Sequence, residues 1–93
     1  MSKFTTRIEL HGADRSDYDQ LHSAMEDEGF SRTITSGDGI VYDLPWAEYN
    51  YDGNSTLQQV IDAGKRAAST TGFKFEILVT KSDGRKWQGL DKH

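Results

Sequence analysis

The stretch from Lys3 to His11, KFTTRIELH, constrains the chain more than any other. Phe4, Thr6, Ile8 and Leu10 alternate with Thr5, Arg7, Glu9 and His11, the period of a strand with one apolar and one polar face. A strand of this kind needs a cover on its apolar side. Two later segments have helical spacing and the remainder reads as further strands, so the helices are the natural cover and the class is α+β.

The first helical segment follows Ser16, read as an N-cap with Asp19 in the first turn, and sets Tyr18, Leu21, His22 and Met25 at i, i+3, i+4 and i+7. Gly29 has the place of a left-handed closing residue, with Phe30 as the apolar contact beyond it. Ser55 and Gln58 form a capping-box signature for the second helix, whose stripe of Leu57, Val60, Ile61, Gly64, Ala67 and Ala68 is small enough to lie close on a sheet. Gly72 closes it.

Between the helices, 30–36 and 40–44 flank Ser36-Gly37-Asp38-Gly39 and read as a β-hairpin, with Arg32 on the same side as Phe30 and Ile34, which suits an edge strand. Pro45 interrupts pairing, and Trp46, Tyr49 and Tyr51 carry the strand onward. After the second helix, Phe73, Phe75, Ile77 and Val79 alternate with Lys74, Glu76, Leu78 and Thr80. Residues 85–90, with Trp87, read as a short extra C-terminal strand, and Asp91 to His93 as a frayed end. The order is that of a ferredoxin-like βαββαβ sandwich: an antiparallel sheet, both helices on one face, and the first and third strands central. The uncovered face would then carry Thr5, Arg7, Glu9, His11, Lys74, Glu76 and Leu78.

Ninety-three residues make one domain spanning 1–93, with a net stability of about 5–10 kcal/mol expected at that size. A net charge of -4 argues against tight, sequence-independent binding of nucleic acid but leaves room for a local basic patch. With no cysteine there is neither a thiol nucleophile nor a thiolate metal site. No apolar run approaches the ~18 residues of a membrane span, so the expectation is a cytoplasmic protein without membrane contact.

The mixed set Arg7, Glu9, His11, Lys74 and Glu76 on the open face could position a phosphate, or could be a solvated face of weak cross-strand ion pairs. His11, where the strand gives way to a loop, suits proton transfer near neutral pH. Metal-free RNA cleavage needs a base, an acid and a cation, and only this histidine is well placed, since His22 has packing spacing and His93 is terminal. Asp38 and Asp43 could hold a divalent metal but are commoner as turn formers. There is no Gly-rich phosphate loop, HExxH or histidine ligand spacing, so no cofactor or metal is expected. Trp46, Tyr49, Tyr51 and Trp87, with Lys65, Arg66, Arg85 and Lys86, could stack on unpaired bases or could fill the core or a dimer contact.

The motifs DYxxLHxAM (Asp17 to Met25), EGFxRTI (Glu28 to Ile34) and YxLPxAEY (Tyr42 to Tyr49) resemble those of a family of small bacterial and phage-borne proteins, the GhoS-like endoribonuclease antitoxins of type V toxin-antitoxin systems and their relatives. That resemblance implies a ferredoxin-like fold similar to small CRISPR-associated nucleases and cleavage of the messenger of a partner toxin. None of the family's functional motifs transfers residue by residue. Arg7, His11 and Arg32 therefore stand as the phosphate-binding or acid-base candidates on their chemistry, with RNA as the expected partner. The alternative is a non-enzymatic, phage-derived module that binds a protein through its acidic surface or open sheet face. A homodimer through that face or the adjoining strand edge is expected to bury Leu78.

Overall fold

The computed structural model describes residues 2–93. The chain runs β1 (Ser2–Leu10), α1 (Arg15–Asp27), β2 (Thr33–Thr35), β3 (Val41–Asp43), β4 (Glu48–Gly53), α2 (Leu57–Ser69) and β5 (Phe75–Ser82). It is a small α+β domain. β1 is the middle of an antiparallel three-stranded sheet of order β4-β1-β5, in which Arg7 stands opposite Glu48 on one side and Leu78 on the other.

Phe4, Thr6, Ile8 and Leu10 are buried as their alternation demands, against Leu21 and Met25 of α1 and Val60, Ala63, Ala67 and Ala68 of α2. Both helices therefore cover the same face of β1. Gly64 makes the close approach possible: a Cβ there would lie 2.5 Å from Ile77 Cδ1. Phe30 and Tyr49 close the core at the side, and Tyr51 packs on it through Phe4 and Phe30 at ring distances of 6.0 and 5.2 Å.

Both helices start one or two residues away from the expected caps. Asp14, not Ser16, caps α1: its carboxylate accepts from the Asp17 amide at 3.1 Å while the Asp17 carboxylate accepts from the Asp14 amide at 2.9 Å. Thr56, not Ser55, caps α2 in the same reciprocal way with Gln59, at 3.1 and 2.9 Å. At α1 a box that satisfies two amide donors prevails over a cap that would have satisfied one, and at α2 the box forms one residue later than expected, on Thr56 and Gln59. The end of α1 follows the expectation. Gly29 has a φ of 94°, its amide bonds Glu26, and the Phe30 amide reaches back to Met25 at 3.0 Å.

Three differences concern the strands. The hairpin forms, with Thr33 opposite Asp43, but β2 and β3 make a two-stranded sheet of their own, joined to β4 by a bridge between Ser31 and Asn50. Pro45 and the turn after it separate β3 from β4, so the third strand expected at the centre of the sheet is two pieces, and β4 flanks β1. Residues 85–90 form no strand. They run irregularly from Arg85, whose Nη1 donates to Asn50 Oδ1 at 2.7 Å and to Thr5 Oγ1 at 3.3 Å, to Trp87, which packs on Tyr42 at 5.6 Å. The final residues are not frayed either. Lys92 bridges Tyr42, the Asp43 amide donates to Asp91 O at 2.9 Å, and the His93 amide donates to Val41 O at 3.0 Å. The free edge of β3 supplies the backbone partners that the end of the chain would otherwise find in water.

Candidate functional site

Chemistry-bearing side chains gather in three places. The first is the polar face of β1. Arg7, Glu9 and His11 point away from the helices, and Glu76 on β5 stands beside Glu9 and accepts a hydrogen bond from His11 Nε2 at 3.1 Å. Arg7 and His11 are thus on one face, four residues and about 13 Å apart along the strand. Exposed side chains at that spacing can meet successive groups of an extended ligand but not one reacting atom.

Arg32 lies elsewhere. Its Nη1 donates to His22 Nε2 at 2.9 Å and its Nη2 to the carbonyls of Leu44 and Pro45 at 3.2 and 3.3 Å. Because His22 Nε2 accepts from a guanidinium, the imidazole proton sits on Nδ1, 2.6 Å from the Tyr49 hydroxyl. Burial and the Arg32 charge hold His22 down at about 4, so the ring is neutral near pH 7, and burial pushes the Tyr49 phenol up. Trp46 completes the cluster, with its ring 4.9 Å from His22 and the Arg15 guanidinium 4.7 Å above it. The Nη atoms of Arg32 join α1 to the β3–β4 connection, while its buried Nε has no partner among the described residues. Arg32 lies away from Arg7 and His11, and the three sequence candidates form no single constellation.

The third place is a groove between the β2–β3 hairpin, the polar face of β1 and residues 84–90. Its polar part, about 460 Å³, is lined by Lys3, Lys81, Arg85 and the hydroxyls of Ser2 and Ser36, with Asp83 as its carboxylate. Its apolar part, about 480 Å³, has Ile34, Leu44, Pro45, Trp87 and Leu90 around it, with Lys86 and Glu48 at the margin. Gly84, Arg85 and Trp87 belong to both parts. Ile34 and Leu44 are buried here, apart from the helix-covered core.

The adjacency Arg85-Lys86-Trp87 is the sequence signal for this groove. Lys3 and Lys81 were missed, because their nearness at one end of the sheet comes from the pairing of β1 with β5, which sets Lys3 opposite Ser82 and Lys81 opposite Phe4. Lys65 and Arg66 lie on α2 instead, where Arg66 pairs with Glu28 at 2.9 Å. Of the four aromatics, Tyr49 and Tyr51 belong to the core, Trp46 to the Arg32 cluster, and Trp87 to the groove. Asp43 is taken up by His93 at 2.8 Å, and among the described residues no group of three or more acidic or histidine side chains is placed to hold a metal. Among those residues, too, no helix is long and apolar enough to cross a membrane. A comparison with protein-family models and one with curated proteins both give no match for this chain.

Proposed function

We propose that the chain is a ferredoxin-like domain of the GhoS-like antitoxin type that acts on RNA through its open sheet face. The frame is supported by the order β4-β1-β5 and by the Ser31–Asn50 bridge, which sets the hairpin beside β4 where a fourth strand would stand. One observation carries the RNA reading. In a chain of net charge -4, four of its 11 lysines and arginines, Lys3, Lys81, Arg85 and Lys86, surround one groove that also holds Trp87. Local positive charge beside an aromatic ring that is partly open, as Trp87 is, suits an unpaired strand. From the groove the polar face of β1 leads past Arg7 to His11 and Glu76, whose pair could pass a proton at a bound ribose or phosphate.

The test is incubation of the purified protein with the transcript of its neighbouring toxin gene. Cleavage that falls at least tenfold in His11→Ala and Arg7→Ala supports the reading; cleavage unchanged in both removes that site, and RNA neither bound nor cut removes the function.

We also propose a homodimer along β5, which bonds to β1 alone among the described strands and leaves Leu78 65% exposed. Antiparallel pairing centred on Leu78 would set that residue against its own copy, Glu76 against Thr80 and Lys74 against Ser82, with no like charges opposed. Sedimentation at micromolar concentration should show twice the 10.5 kDa chain mass, reverting to monomer in Leu78→Lys. A wild-type monomer at every concentration would end this proposal.

A further inference from the structure

The groove has two chemically different parts that meet at one arginine and one tryptophan. Its polar part offers cations and hydroxyls, its apolar part offers aliphatic walls and the Trp87 ring, and each is within the ~300–1,000 Å³ range of small-ligand sites. Arg85 stands at the junction and is fixed there. It uses Nη1 to bond Asn50 Oδ1 and Thr5 Oγ1, and Asn50 is itself 7% exposed and donates to Asp52 at 3.1 Å. Nη2 and Nε have no protein partner among the described residues, so a guanidinium with spare donors is held at the boundary by a buried amide. The two free donors of a guanidinium held in this way suit an anion that can accept two bonds at once, as a phosphate does.

We infer that this groove is a nucleotide slot, in which the base lies in the apolar part against Trp87 and the phosphate lies in the polar part between Arg85, Lys3 and Lys81. The inference deepens the RNA reading and rests on it. It specifies an unpaired nucleotide as the unit recognised, because a duplex cannot send a base into a recess beside its own phosphate. Asp83 and Glu48, the carboxylates of the lining, lower but do not cancel the charge of its four cations. The same chemistry is shared by a free nucleoside monophosphate and by one residue of a single strand.

The test follows Trp87 fluorescence in a Trp46→Phe background, with calorimetry on the unaltered protein in parallel so that a folding defect in the variant cannot hide the answer. The ligands are AMP, ribose 5-phosphate and an unstructured ten-residue oligoadenylate. The slot requires saturable quenching by AMP, at least tenfold weaker binding of ribose 5-phosphate, and a tenfold loss of AMP affinity in Arg85→Ala. Oligoadenylate binding much tighter than AMP identifies a strand as the source, and equal binding identifies the free nucleotide. If the oligonucleotide binds but AMP gives no signal by either method and Trp87→Ala changes nothing, the slot is wrong and the RNA reading stands. If AMP saturates while neither the oligonucleotide nor the toxin transcript binds, the slot stands and the RNA reading falls.

Discussion

Phe4, Thr6, Ile8 and Leu10 are at most 5% exposed, whereas Thr5, Arg7, Glu9 and His11, alternating with them along the same backbone, are all partly or fully open to water. The difference is in what covers each face. One side has two helices, each closed at its start by a reciprocal cap and packed through small residues, with Gly64 at the point of closest approach. The other has an irregular segment tied down by Arg85, Trp87 and a few backbone bonds, over only part of the sheet. The first face spends its side chains on stability and leaves nothing for a ligand; the second keeps its cations, hydroxyls and one tryptophan available.

The sharpest way to break that contrast is to delete one large side chain from each face. Phe4→Ala should cost about 3–5 kcal/mol in urea unfolding, much of the stability of a chain this size, while Leu78→Ala should change the monomer by less than about 0.5 kcal/mol. Comparable losses would mean that the open face is also part of the core.

A second effect sharpens the boundary between the faces, where His22 is held neutral. Its folded value near 4 lies below the ordinary 6.5, so the unfolded chain takes up the proton first. Stability is full above about pH 6.5 and declines as the pH falls toward 4. The ring is partly exposed, and screening limits the loss to about 1–2 kcal/mol. Urea midpoints at pH 7 and 4.5 should differ less in His22→Gln than in the parent; the same difference in both would clear His22 of the effect.

Gly64→Ala places a methyl on Ile77 and should destabilise by about 1 kcal/mol net, overpacking outweighing the gain in helix propensity. Ile77→Val removes the Cδ1 that is struck, so the double variant should lose less than the sum of the two single changes. Additive losses would place the strain elsewhere. The smallest effect is a gain. The Thr6 hydroxyl is fully buried without a partner among the described residues, and Thr6→Val should raise stability by about 0.5 kcal/mol, measured by thermal unfolding.

How much of this was legible follows the same contrast. The alternation of β1 and β5, the helical spacing of Leu21 and Met25, and the closing role of Gly29 are local patterns, and each appears where the residues put it. The caps slipped because Asp14 and Thr56 compete with adjacent Ser16 and Ser55, and the choice depends on which carboxylate or amide can reach back three residues. Residues 85–93 read differently in the sequence because their partners, Asn50, Thr5, Tyr42 and Asp43, are set by tertiary approach and leave no period in the chain. The candidate site suffered most. Arg7 and His11 share a face, as strand geometry requires, but Arg32 is turned inward by a histidine ten residues away, which no spacing rule announces.

The central place of β1 sets a timetable for synthesis. Its partners are β4 and β5, and Lys3 must wait for Ser82, so the sheet cannot close until nearly the whole stretch has left the ribosome. Pairings so distant make folding slow relative to helical domains. Until Phe75 to Ser82 emerge, α1 and α2 have only an incomplete sheet to dock on, and Phe4, Ile8 and Leu10 remain accessible to chaperones. A nascent chain arrested ahead of Phe75 should therefore be cut readily by protease within β1, and release of the next dozen residues should protect it in a single step.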